Sequence, residues 1–191
     1  MSKIEIIAAL FGLLGVAAST IPHAANWPLN LVSSILYMYF FYTLKLYSDS
    51  ILQIYYVVTS VIGWMKWTKG DPMSFRNAIP ITYLSKQQLS LSILTVALMS
   101  FAVGHFFAVT TDASLPYFDA SVAVLSLLGQ WLSTQKKMDS WPIWALVNCA
   151  SVVLYSLKDA YVTAALYFIF LIMTILGWRR WLKITAVAVN R

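Results

Sequence analysis

The chain has 191 residues, 60% of them hydrophobic and only 10% charged, with a net charge of +6 and a mean hydropathy of +0.74. A soluble domain carries about 25% charged residues, so this composition reads as a polytopic membrane protein; at roughly 20 residues per crossing the ceiling is seven or eight helices with short loops. No room remains for a soluble catalytic or nucleotide-binding domain, and positive charge gathered at helix ends reports topology rather than nucleic-acid binding.

Apolar runs of spanning length fall near 4–21, 27–46, 48–66, 89–110, 118–135, 141–157 and 160–182. The first run, behind Lys3 and ending near Ala17-Ala18, imitates a signal peptide. Glu5 spoils the basic region, and the same segment recurs at 118–134, so it is expected to be a retained helix. Pro22 closes the first span, and Pro28 opens the second in the first-turn position that proline tolerates. Lys45 and Asp49 bracket a tight turn between spans two and three, and Lys158-Asp159 does the same between six and seven. The one long connection, 68–88, holds Lys69, Gly70, Asp71, Pro72, Arg76, Pro80 and Lys86. The single cysteine, Cys149, can form no intrachain disulfide.

A gapless repeat at an offset of 114 organises these runs. Trp27-Pro28 falls on Trp141-Pro142, Tyr47 on Tyr161, and Gly63-Trp64-x-x-Trp67 on Gly177-Trp178-x-x-Trp181. Leu13-Leu14-Gly15 and Ser19-Thr20 likewise meet Leu127-Leu128-Gly129 and Ser133-Thr134; over residues 1–69 there are 14 identities. The expected fold is therefore all-α and transmembrane, with seven helices in a three-plus-one-plus-three parallel repeat. Its parts are a first three-helix repeat at 1–69, a loop and linking helix at 70–114, a second repeat at 115–183 and a cytoplasmic tail at 184–191. A parallel repeat encloses a cavity on its axis, an architecture used by transporters.

Lysine and arginine set the orientation. One side collects Lys3, Lys45 and Lys158; the other collects Lys66, Lys69, Arg76, Lys86, Lys136, Lys137, Arg179, Arg180, Lys183 and Arg191. Under the positive-inside rule this puts the N-terminus outside and the C-terminus in the cytoplasm.

The candidate chemistry is uncharged. His23 and His105 lack ligand spacing, and there is no phosphate-binding loop, so neither a metal site, a cofactor nor a self-contained ATP-driven pump is expected. Glu5, Asp49, Asp71, Asp112, Asp119, Asp139 and Asp159 all lie at helix ends or in loops. A coupled carrier usually buries an ionisable residue at depth, so facilitated diffusion is expected. Polar groups at depth are Asn148 in span six, Asn30, Ser33 and Ser34 in span two, and Gln53 with its repeat mate Tyr167. An unpaired amide in hydrocarbon is costly, so these must face protein or water, as a binding site or as interhelical glue. Trp144 precedes Asn148 by one turn, a pair suited to stacking on a flat heterocycle, and on a cation more strongly. Trp27, Trp64, Trp67, Trp141, Trp178 and Trp181 fall at inner helix ends, where an aromatic belt would place them.

The stretch Trp141-Pro-Ile-Trp144-x-x-x-Asn148, followed by Tyr161, Tyr167, Gly177 and Trp181, resembles the pattern of the bacterial Pnu vitamin transporters. The first-half run with Tyr47, Gln53, Gly63, Trp64 and Trp67 is similar to that family's first repeat. The resemblance implies a fold like the SWEET sugar transporters; together with the polar groups at depth it points to substrate contacts from Trp144, Asn148, Tyr161, Tyr167, Gln53, Ser34 and Asn30. It implies gating or packing roles for Gly63, Trp64, Trp67, Gly177, Trp178, Trp181, Trp27 and Trp141. It further implies energy-independent vitamin uptake across the bacterial inner membrane, with trapping by a cytosolic kinase. Family members carrying nicotinamide riboside tend to show first-half asparagines where this chain has Ser33-Ser34 and Ser60. An aromatic-rich, amide-poor site then favours thiamine, followed by nicotinamide riboside and riboflavin. An ion-coupled transporter and a small membrane enzyme are the competing classes, and the sequence leaves oligomeric state open.

Overall fold

The computed structural model describes residues 3–43, 47–68, 79–112, 114–157, 159 and 161–189. Lys45, Lys69, Gly70, Asp71, Pro72, Arg76, Lys158, Arg191 and the side chains of Tyr47 and Asp49 lie outside this description. The described residues form seven helices: α1 (Lys3–Ser19), α2 (Asn26–Thr43), α3 (Tyr47–Thr68), α4 (Lys86–Thr110), α5 (Pro116–Thr134), α6 (Ser140–Leu157) and α7 (Tyr161–Val189). Among the described residues the only strand-like pairing is an isolated bridge between Thr82 and Lys137. By length and composition alone, Lys86–Thr110, Ser140–Leu157 and Thr163–Ala186 are apolar enough to span a bilayer.

Two helix ends differ from expectation for visible reasons. α4 starts at Lys86, ahead of its apolar run, because Ser85 and Gln88 form a capping box: Ser85 Oγ accepts from the Gln88 N–H at 3.2 Å, and Gln88 Oε1 accepts from the Ser85 N–H at 3.0 Å. α7 runs past Lys183 to Val189, since the sequence after Lys183 offers neither glycine nor proline to stop it.

The halves close on one another in matching fashion. Within each repeat the first helix packs on the second and the second on the third, while α4 packs on α5. Between repeats, α3 meets α5 and α7 meets α1, the same contact written twice. Tyr55 on α3 donates to the Leu127 carbonyl on α5 at 2.7 Å. Arg180 on α7 donates to Thr20 Oγ1 at 3.1 Å, and the neighbouring Trp181 donates to the Ser19 carbonyl at 3.2 Å. These contacts hold the bundle around its axis.

Candidate functional site

A cavity of about 260 Å³ lies between the repeats, and the repeat offset pairs most of its wall. Val16 faces it with Gln130, Ser19 with Ser133, and Trp27 with Trp141. Asn30 pairs in the same way with Trp144, Ser34 with Asn148, and Tyr56 with Phe170. Asn26, Tyr167 and Thr174 complete the lining. Four carboxamides and several aromatic rings therefore converge on the axis, and none of these lining residues is charged. A wider recess of about 780 Å³ between α4, α5 and α6 is mostly aliphatic. It lies off the axis, and the repeat offset does not pair its wall.

Specific contacts fix the wall. Asn148 is buried and donates from Nδ2 to Thr174 Oγ1 at 3.0 Å, leaving its carbonyl oxygen for another donor. Trp144 is held by a bond from Nε1 to Ser133 Oγ at 3.2 Å. Its indole lies against Gly129, where a Cβ would come within 3.2 Å of the ring. Tyr167 is braced between Tyr155, stacked at 5.3 Å, and Phe170, edge-on at 6.0 Å. Asn148 with Tyr167 and Phe170 can thus cradle a flat ring and hydrogen-bond its edge.

Tryptophans close the basic end of the cavity. Trp27 meets Trp67 edge-on at 5.5 Å, Trp67 meets Trp181 at 5.9 Å, and Trp181 meets Trp141 edge-on at 5.4 Å. All four are buried, with Trp64 and Trp178 packed against them. For these four the aromatic-belt expectation is corrected: the indoles turn inward to one another, not toward headgroups. Glycine makes this geometry. A Cβ at Gly63 would fall 2.5 Å from the Trp27 indole, and one at Gly177 would overlap Trp141.

Lys136 packs against the plug. It takes the left-handed conformation, φ 55°, at the end of α5. There Lys136 N–H donates to the Ser133 carbonyl and Lys137 N–H to the Leu132 carbonyl, both at 3.0 Å, a Schellman closure usually built with glycine. The lysine side chain is what glycine lacks: its ammonium sits 4.6 Å over the Trp67 ring and donates to the Ile79 carbonyl at 3.1 Å. Burial pushes this ammonium down to about 8.

Of the residues singled out from the sequence, Trp144, Asn148, Tyr167, Ser34 and Asn30 meet at the cavity. Two do not. Tyr161 is exposed and donates to Asp159 at 2.7 Å, and Gln53 lies one turn away from Tyr56, which takes its place on the wall. Sequence reasoning missed Gln130, Asn26, Tyr56 and Thr174. The expectation of an amide-poor site is also corrected, because Asn26 and Gln130 join Asn30 and Asn148. His105 lies near Tyr117 OH at 3.3 Å and stacks on Phe101, away from the cavity.

Residues 2–183 match the family model for nicotinamide mononucleotide transporters. The chain belongs to this family. Similar relatives include the nicotinamide riboside transporter PnuC of Escherichia coli, 22% identical over 96% of this chain and 86% of the relative. The PnuC of Neisseria mucosa is 23% identical over 93% of this chain and 71% of its own. The riboflavin/roseoflavin transporter RibM of Streptomyces davaonensis is 20% identical over 93% and 83%. The crystal structure of the vitamin B3 transporter PnuC superposes with a TM-score of 0.73 at 23% identity, covering 94% of this chain and 80% of that one. Membership in this family makes the protein a membrane-embedded vitamin transporter.

Proposed function

We propose that the protein carries nicotinamide riboside across the bacterial inner membrane by facilitated diffusion. The observation that carries this reading is the wall of the axial cavity: four carboxamides and a set of aromatic rings without a charged side chain. A phosphate dianion buried there would lack a cation, which is costly, so the riboside fits better than the mononucleotide. Thiamine, the first expectation, rested on a scarcity of amides that the cavity does not have, and the relatives above are named for nicotinamide riboside and riboflavin. Riboflavin is the second reading, favoured by the RibM relative and the same polar wall.

The absence of an acidic side chain from the lining supports uncoupled movement. Net uptake then depends on a cytosolic kinase, because phosphorylation keeps the vitamin from returning through an uncharged path. The two repeats, 1–69 and 115–183, act as two units joined by 70–114, with gating at the tryptophan plug and its glycines. Three lysines against ten basic residues support a plug at the cytoplasmic face, with the N-terminus outside and the C-terminus inside. Calorimetric titration of purified protein with nicotinamide riboside, nicotinamide mononucleotide, riboflavin and thiamine tests the substrate. The riboside should bind tightest and the mononucleotide much more weakly; preference for thiamine or for the phosphorylated form would refute the assignment.

A further inference from the structure

The two seams between the repeats are equivalent by the offset and unequal in chemistry. Along α3–α5 polar contacts recur from mid-helix to the plug. Tyr55 OH donates to the Leu127 carbonyl at 2.7 Å, and Gln130 Nε2 donates to Thr59 Oγ1 at 3.3 Å. Nearer the plug, the Lys66 ammonium lies 5.3 Å over the Trp131 ring and the Lys136 ammonium 4.6 Å over the Trp67 ring. Their mates along α7–α1 cannot repeat this. Ile169 stands where Tyr55 has its hydroxyl, and Met173 and Val16 stand where Thr59 and Gln130 meet. Ala17 replaces the Trp131 ring, and Pro22 replaces the Lys136 ammonium. Among the described residues, the hydrogen bonds across α7–α1 gather at the plug end, from Arg180 to Thr20 and from Trp181 to Ser19. Inside a bilayer an aliphatic side chain gains little by leaving lipid for another helix, so polar contacts weigh more in deciding which helices stay together.

The chain after α3 widens the difference. Its segment 79–85 is bonded to the turn between α5 and α6. Met138 N–H donates to the Thr82 carbonyl at 2.8 Å, Thr82 N–H to the Lys136 carbonyl at 3.3 Å, and Leu84 N–H to Asp139 Oδ2 at 2.7 Å. Ile79 and Ile81 rest on the plug beside it. After Lys183 the chain instead continues as helix to Val189. We propose that the plug opens at one seam only: α3–α5 serves as the hinge, and α1 and α7 part to make the doorway. Val16 and Ser19 on α1 and Thr174 on α7 line the axial cavity, so a gap between these helices reaches the substrate directly. The bonds that latch this seam lie at its mouth, where water can replace them as the helices separate. This inference rests on the reading of the protein as a carrier gated at the plug, and adds where that gate opens.

Reversible cross-linking tests it, because Arg180 and Lys66 are repeat mates that each reach across one seam. With Cys149→Ser removing the one native cysteine, the pair Thr20→Cys with Arg180→Cys spans α7–α1, and Lys66→Cys with Trp131→Cys spans α3–α5. Each pair is joined by a bis-thiosulfonate reagent of matching spacer length, and exchange of labelled nicotinamide riboside is followed in proteoliposomes before linking, after linking and after reduction. Linking Thr20 to Arg180 should slow exchange about tenfold or more, with recovery on reduction, whereas linking Lys66 to Trp131 should leave it within about twofold. The reverse pattern, loss with both links or loss with neither overturns the one-sided doorway. A second measurement needs no substrate and covers a pair that fails to fold. Thr20 and Thr134 are buried repeat mates, one at each seam. As the sole cysteine in solubilised protein, Thr20→Cys should react with a hydrophilic thiol reagent about tenfold faster than Thr134→Cys. Equal rates or the opposite order overturn the inference. Absence of riboside exchange in the wild type refutes the substrate instead, and the thiol comparison still decides the seam.

Discussion

The indole N–H of Trp181 donates to the backbone carbonyl of Ser19 at 3.2 Å, while its repeat mate Trp67 has no partner for the same atom among the described residues. At the indole N–H the plug is therefore tied to α1 through Trp181, whereas Trp67 is held by the Lys136 ammonium over its ring, although the sequence writes the two tryptophans alike. Trp181→Phe should cost more stability than Trp67→Phe by about 1 kcal/mol, the net worth of one hydrogen bond. Thermal unfolding in detergent measures the difference, and equal losses would mean that the bond contributes nothing.

The glycines behind the indoles give a second prediction. Gly177→Ala places a methyl group against the buried Trp141 ring, and overpacking of this kind costs about 1–3 kcal/mol. Gly63→Ala does the same at Trp27. Both variants should unfold at lower temperature than wild type. An unchanged melting curve for either would show that the plug yields freely.

Lys136 makes stability depend on pH. Its pKa falls from 10.5 to about 8 on burial, so between these values the unfolded chain binds more protons than the folded one. Stability from this group therefore rises with pH across that window, and the penalty of burying the ammonium is fully present below about 8. Lys136→Met should flatten the rise in unfolding temperature between pH 8 and pH 10. An identical pH profile in the variant contradicts the assignment.

At the ring end of the site the halves should contribute unequally. Asn148 is anchored to Thr174 and lies beside Tyr167, whereas its mate Ser34 offers only a short hydroxyl. Asn148→Leu should weaken riboside binding roughly tenfold or more, and Ser34→Ala much less. Titration of both variants decides it; equal losses would remove Asn148 from its role.

Much of this was legible in the sequence because helices and repeats are. Apolar runs located all seven helices, and the offset of 114 paired Trp27 with Trp141 before any packing was known. Two kinds of information were hidden. Inside an apolar span, lipid and protein interior select the same residues, so helical phase is weakly marked; Gln53 stands out by its amide and by its repeat mate Tyr167, yet Tyr56 is the residue on the wall, and inward indoles look the same in sequence as a belt. Gln130 was missed because its mate is Val16, so repeat symmetry gave no hint of it. Its carboxamide meets Thr59, a residue 71 positions away that only the fold brings near.

Proteoliposome exchange tests the central claim most directly. Vesicles holding the purified protein should equilibrate labelled nicotinamide riboside with no gradient imposed, and should release it on dilution until inside and outside concentrations match. A sustained internal excess that grows with an inward proton or sodium gradient, or no flux of the riboside at all, would contradict the account.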